Sequence, residues 1–104
     1  MSHRVRAASL IDVPEDHGLE VVLEGKIIGL FRVEGEIVAL DGICPHAGGP
    51  LAKGAINNGI ITCPWHGWQF DACTGQHCLT PQVRQTPYKV EVEEQEIFVI
   101  FSDT

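Results

Sequence analysis

A chain of 104 residues, 44% hydrophobic and 20% charged, has the size and composition of one globular domain with a modest core. Seven Lys and Arg against fourteen Asp and Glu leave a net charge of −7, which argues against nucleic acid or an anionic membrane surface as a partner. Eleven glycines and six prolines imply many turns and short strands, which excludes a helical bundle.

Val5 to Ile11 carries a weak strand pattern and Leu19 to Leu23 a clearer one, followed by a turn through Leu23-Glu24-Gly25-Lys26. Ile27 to Val33 and Ile37 to Leu40 are expected as two further strands. Between them lies Glu34-Gly35-Glu36, where Gly35 supplies the positive φ of a tight hairpin. These elements predict a β-meander. From Asp41 to Asn58 the periodicity gives way to Gly, Pro and small residues, the pattern of a long irregular segment. Its low charge, with apolar Ile60-Ile61 and aromatic-rich Trp65 to Phe70 following, predicts an ordered segment rather than a disordered one. A turn at Thr74-Gly75 and a Pro-containing loop from Thr80 to Pro87 come next. Strands Tyr88 to Val92 and Ile97 to Phe101 then close the chain around a turn at Glu93 to Glu96. With no internal repeat and no linker, the expectation is one all-β unit carrying an insertion.

The longest unbroken apolar run, Ile97 to Phe101, falls far short of the roughly 20 residues that span a bilayer. The opening Met-Ser-His-Arg-Val-Arg lacks the apolar core of a secretory signal, so the cytoplasm is the expected compartment. Four cysteines there are metal ligands or free thiols rather than a disulfide framework.

The spacing of the cysteines is the strongest signal. Cys44-Pro45-His46 and Cys63-Pro64-Trp65-His66 are two Cys/His pairs with sixteen residues between them, each on a Pro-constrained loop. Two such loops facing one another supply two sulfurs and two imidazole nitrogens. A single tetrahedral zinc and a binuclear iron–sulfur core compete for that set. Zinc fingers usually pair Cys with Cys and His with His. Here each loop runs Cys first and His second, a polarity that suits two irons, with both thiolates at one end and both imidazoles at the other.

Cys-Pro-His, sixteen residues, then Cys-Pro-Trp-His-Gly-Trp resembles the Rieske cluster signature, and the likeness continues through Phe70-Asp71, Thr74-Gly75 and Cys78-Leu79. The resemblance implies a Rieske fold: an antiparallel, sandwich-like β base spanning residues 1–104, with a cluster-binding subdomain at about 41–82 inserted as two ligand loops. It also implies one [2Fe–2S] cluster, with Cys44 and Cys63 on the inner iron and His46 and His66 on the outer one. Neutral imidazoles leave the oxidised core without net charge, so His ligation raises the potential above that of Cys-only ferredoxins.

Respiratory Rieske proteins carry two further cysteines that clamp the ligand loops together, at positions corresponding to Gly49 and Trp65. They also carry Ser and Tyr hydroxyls, where this chain has Trp68 and Phe70. Losing hydrogen bonds to sulfur destabilises the more negative reduced state, which places the potential near the low end of the Rieske range, about −150 mV. The resemblance is therefore to the small Rieske ferredoxins of aromatic-ring dioxygenase systems. Such a monomeric electron carrier runs between an NAD(P)H-dependent flavoprotein reductase and a terminal oxygenase, and is not itself an enzyme. An oxygenase subunit would need two more histidines and a carboxylate for a mononuclear iron, and only His3, His17 and His77 remain. The alternatives are the small subunit of an assimilatory nitrite reductase and a zinc-stabilised binding module.

Cys73 and Cys78, flanking Thr74-Gly75, are expected as free thiols. His3, His17 and His77 are expected to be solvated or locally hydrogen-bonded. Trp68 and Phe70 read as core aromatics, and Trp65 as either a cover for the cluster or part of a docking face. Pro81 resembles the proline of the third loop that covers the family's cluster. Pro45, Ala47, Gly48, Gly49 and Pro50 suggest a neutral docking tip. Because oxidised iron favours deprotonation of its imidazole ligands, the potential is expected to fall with pH in the alkaline range. A redox titration showing a pH-independent potential there would count against histidine ligation.

Overall fold

The computed structural model describes residues 2–44, 48–65, 67–80 and 82–102. Among the described residues nine strands form two sheets. The larger has the order β1-β9-β8-β4-β3-β2, built from β1 (Ser2–Ser9), β2 (Leu19–Leu23), β3 (Lys26–Val33), β4 (Glu36–Asp41), β8 (Pro87–Glu93) and β9 (Glu96–Ser102). The smaller, β5-β6-β7, is built from Ala55–Asn57, Ile60–Thr62 and Gln69–Asp71. Every neighbouring pair is antiparallel. Among the described residues no helix is long and apolar enough to cross a membrane.

Period-two alternation explains how β3 and β4 serve two cores at once. Ile28 and Leu30 of β3 and Ala39 of β4 point into one cluster with Leu23, Ile97, Val99 and Phe101. Phe31 and Leu40 point the other way, into a second cluster with Leu51, Ile56, Ile61, Phe70 and the two cysteines Cys44 and Cys63. Strands buried on both faces need near-continuous apolar sequence, as Ile27 to Phe31 provides. At the open edges of the large sheet, His3 on β1 meets Glu24 in the turn after β2 at 2.9 Å. That pair is exposed and contributes little stability by itself.

A 3₁₀ turn, Leu51–Lys53, docks the second core on the large sheet. Its Ala52 sits against three glycines: a Cβ at Gly18 would lie 2.2 Å from the Ala52 carbonyl oxygen, one at Gly29 2.9 Å from Ala52 Cα, and one at Gly42 3.0 Å from Ala52 Cβ. Backbone bonds close the seam, from Ala52 N–H to Gly42 O and from Gly18 N–H to Gly54 O, each 3.1 Å.

Sequence and structure differ at two places. The first strand ends at Ser9, and Leu10–Asp12 forms a 3₁₀ turn held by Arg6, Ser9 and Glu96 contacts at its entry. The segment from Asp41 to Asn58 contains the 3₁₀ turn and β5.

Four hairpin turns place paired residues in the left-handed region: Glu24-Gly25, Glu34-Gly35, Asn58-Gly59 and Glu94-Gln95. Three put glycine second, at φ of 80°, 83° and 78°, whereas Gln95 sits at 70° with a side chain. A non-glycine residue there is strained. Gln95→Gly is expected to stabilise the fold by about 0.5–1 kcal/mol, read as a higher urea midpoint at unchanged m-value. A lower midpoint would show that the turn is not strained.

Candidate functional site

Cys44 and Cys63 are both buried and share one apolar cluster with Phe70, Leu51 and Ala72. Each stands at the root of a loop closed on itself. In the first loop the Cys44 N–H donates to Gly49 O at 2.8 Å and the Gly48 N–H to Cys44 O at 3.0 Å. In the second the Cys63 N–H donates to Trp68 O at 2.7 Å. Gly48 and Gly67 lie at φ of 71° and 72°, which lets each loop turn back without strain. His46 and His66, the other two expected ligands, lie outside the described residues, as does Pro81.

The loops touch at Gly49. A Cβ there would fall 2.9 Å from Cβ and Cγ of Trp65 and 3.1 Å from the Cys63 sulfur, so glycine permits the second loop to close onto the first. The two positions expected to lack a covalent clamp thus pack directly together, with the Trp65 indole over Gly49. Trp65 is 49% exposed.

Further segments brace the loops. Gln85, buried before β8, donates its side-chain amide to Asp41 O at 2.6 Å and to Ile43 O, fixing the chain that enters Cys44. Gly75 must be glycine, since a Cβ would meet Gln85 O at 2.0 Å and φ is 79°. Asp71 Oδ1 accepts from the Cys73 and Thr74 N–H groups and shapes the turn before it. Phe70 is fully buried, as expected of a core aromatic, whereas Trp68 is only partly buried against the same cluster. Cys73 and Cys78 are unbridged and exposed. Burial, then Asp71, pushes the Cys73 thiol up, so it is not primed as a nucleophile.

His3 pairs with Glu24, and His17 Nδ1 lies 2.7 Å from Asp16 Oδ1; both are exposed. His77 differs. It is 6% exposed, and its Nδ1 accepts from the Leu79 and Thr80 N–H groups at 3.1 and 3.0 Å. Neither Gln85 nor His77 stands in a sequence pattern of its own; Thr74-Gly75 ahead of them signals only the turn.

The donor chemistry fits an iron–sulfur group: two soft thiols brought into one water-excluded core by facing loops. Residues 3–102 match the Rieske [2Fe-2S] domain family. The chain is 35% identical over 99 residues to the ferredoxin component of the naphthalene 1,2-dioxygenase system of Pseudomonas aeruginosa, covering 94% of this chain and 95% of that one. It is also similar to a solved complex of reduced oxygenase and oxidized ferredoxin in carbazole 1,9a-dioxygenase, with a TM-score of 0.82, 28% identity and coverage of 92% and 91%. A Mycobacterium tuberculosis structure assigned to the small subunit of an NADH-dependent nitrite reductase superposes with a TM-score of 0.90. It is only 20% identical, over 100% of this chain and 99% of that one, a likeness of fold alone. The match across nearly the whole chain and the relatives that share it place this protein in the Rieske [2Fe-2S] domain family.

Proposed function

We propose that this chain is a low-potential Rieske ferredoxin that carries one electron from an NAD(P)H-dependent flavoprotein reductase to a terminal oxygenase. The observation that carries the reading is the convergence of Cys44 and Cys63 in one buried core, at the roots of two loops in contact. Cys44, His46, Cys63 and His66 would hold the cluster, the cysteines from inside and the histidines from the two loops between their closing hydrogen bonds. When bound, that group supplies a one-electron couple whose potential is raised by imidazole ligation and tuned by hydrogen bonding and burial. The protein around it excludes water on the cysteine side through Phe70, Leu51 and Ile61. Trp68 and Phe70 bring no hydroxyl to the sulfurs, which favours the oxidised state and supports a potential near the low end of the range, about −150 mV. Residues 1–104 would act as one domain, monomeric and cytoplasmic, with residues 41–82 as its cluster-binding part.

The oxygenase as partner is supported by the relatives, whose descriptions are of dioxygenase ferredoxins, and by the surface near the cysteines. Ile43, Trp65 and Leu79, from three different segments of the cluster part, are exposed large apolar side chains. Exposed apolar side chains of this kind suit brief docking without strong affinity. A zinc module would present the same cysteines without a redox couple.

Reduced protein is expected to give the paramagnetic signal of a mixed-ligand [2Fe–2S] cluster, with equal iron and acid-labile sulfide, two of each per chain. Zinc at one per chain with no sulfide would overturn the reading. Leu79→Asp is expected to slow electron delivery to the oxygenase by about fivefold, the equivalent of roughly 1 kcal/mol, while leaving the visible spectrum unchanged. Unaltered transfer kinetics would remove Leu79 from the docking surface.

A further inference from the structure

His77 joins three pieces of the site through one side chain. Its ring meets Trp68 edge-on at 4.6 Å between centroids and Phe70 at 5.2 Å. Trp68 is the residue whose carbonyl closes the second ligand loop on Cys63. On the other side, His77 Nδ1 takes the N–H groups of Leu79 and Thr80, the residues two and three positions ahead. The backbone continues the connection: the His77 N–H donates to Val83 O, and the Val83 N–H donates to Thr80 O, each at 2.9 Å.

Two donors on Nδ1 require its lone pair, so the neutral ring carries its proton on Nε2. That nitrogen is buried, with no hydrogen-bond partner among the described residues. For packing against Trp68 and Phe70 alone, phenylalanine would fill the place. What histidine adds is the acceptor at Nδ1.

We propose that His77 is a positioning residue, whose Nδ1 holds Leu79 and Thr80 beside Trp68 of the second ligand loop and thereby limits water at the cluster. The inference rests on the Rieske ferredoxin reading for its redox consequence, and on the hydrogen bonds alone for its structural one. Releasing Leu79 and Thr80 would let water approach Trp68 and the loop that carries Cys63. Water stabilises the more negative reduced state, so the potential rises.

Two variants of the holoprotein separate the acceptor from the ring. His77→Phe keeps an aromatic ring and removes the acceptor. His77→Asn loses the ring but offers a side-chain oxygen to the same two N–H groups, as asparagine does in local turns. Hydrogen exchange of the Leu79 and Thr80 amides, the midpoint potential, and iron and sulfide content are measured together. The expected result is exchange about tenfold faster and a higher potential in His77→Phe, with both restored toward the parent in His77→Asn. Unchanged exchange in His77→Phe would overturn the proposal, and so would equal behaviour of the two variants. Should the parent protein hold no iron and sulfide, the cluster reading fails while amide exchange still decides the role of Nδ1.

Discussion

The two-sided burial of β3 and β4 is the constraint on which the rest of the molecule depends. Ile28, Leu30 and Ala39 hold the large sheet around its own core, while Phe31 and Leu40 on the opposite face form the floor of a second core that contains both cysteines. A slip of one residue in the β3–β4 register would exchange those faces and send Phe31 into the wrong core. The hairpin at Glu34-Gly35, with both residues at positive φ, fixes that register. Positioning of the thiols therefore begins some ten residues before Cys44, in a turn with no chemistry of its own.

On that floor the site is assembled by backbone more than by side chains. Each cysteine loop is closed by its own carbonyl and amide groups, and the seam beneath is made by Ala52 against three glycines. Small residues matter here for what they leave open. Gly49 admits the Cys63 sulfur and the base of Trp65; Gly18, Gly29 and Gly42 admit the 3₁₀ turn. Polar side chains enter only where backbone would otherwise be free to move, as Gln85 does at Asp41 and Ile43 and His77 at Leu79 and Thr80.

That division of labour explains what could be read from the sequence. Strands with continuous or alternating apolar residues, such as Ile27 to Val33 and Ile97 to Phe101, announce themselves because their burial is encoded locally. The meeting of Cys44 and Cys63 in one core is legible because two Cys-Pro motifs at that spacing stand out in the sequence. Strand β5 is not, since Ala55-Ile56-Asn57 has one large apolar residue and no period, although Asn58-Gly59 is a strong hairpin signal that marks its end. Trp65 is half-exposed at the contact of the loops, a place compatible with either of its two expected roles. Gln85 is beyond reach for a different reason: it acts on the Asp41 and Ile43 carbonyls, which only the tertiary fold brings near. His77 bonds locally to Leu79 and Thr80, as expected, while its packing on Trp68 and Phe70 has no sequence signal.

The same arrangement bears on why a carrier should be built this way. An electron that arrives and leaves quickly must find the ligands in nearly the same geometry in both oxidation states, because any rearrangement adds to the barrier. Loops tied to themselves, to one another through Gly49, and to the chain on either side through Gln85 and His77 have little freedom to rearrange. Support beneath the cysteines, built from backbone bonds and close-packed glycines, thus answers one requirement, that the protein move as little as possible while the electron moves.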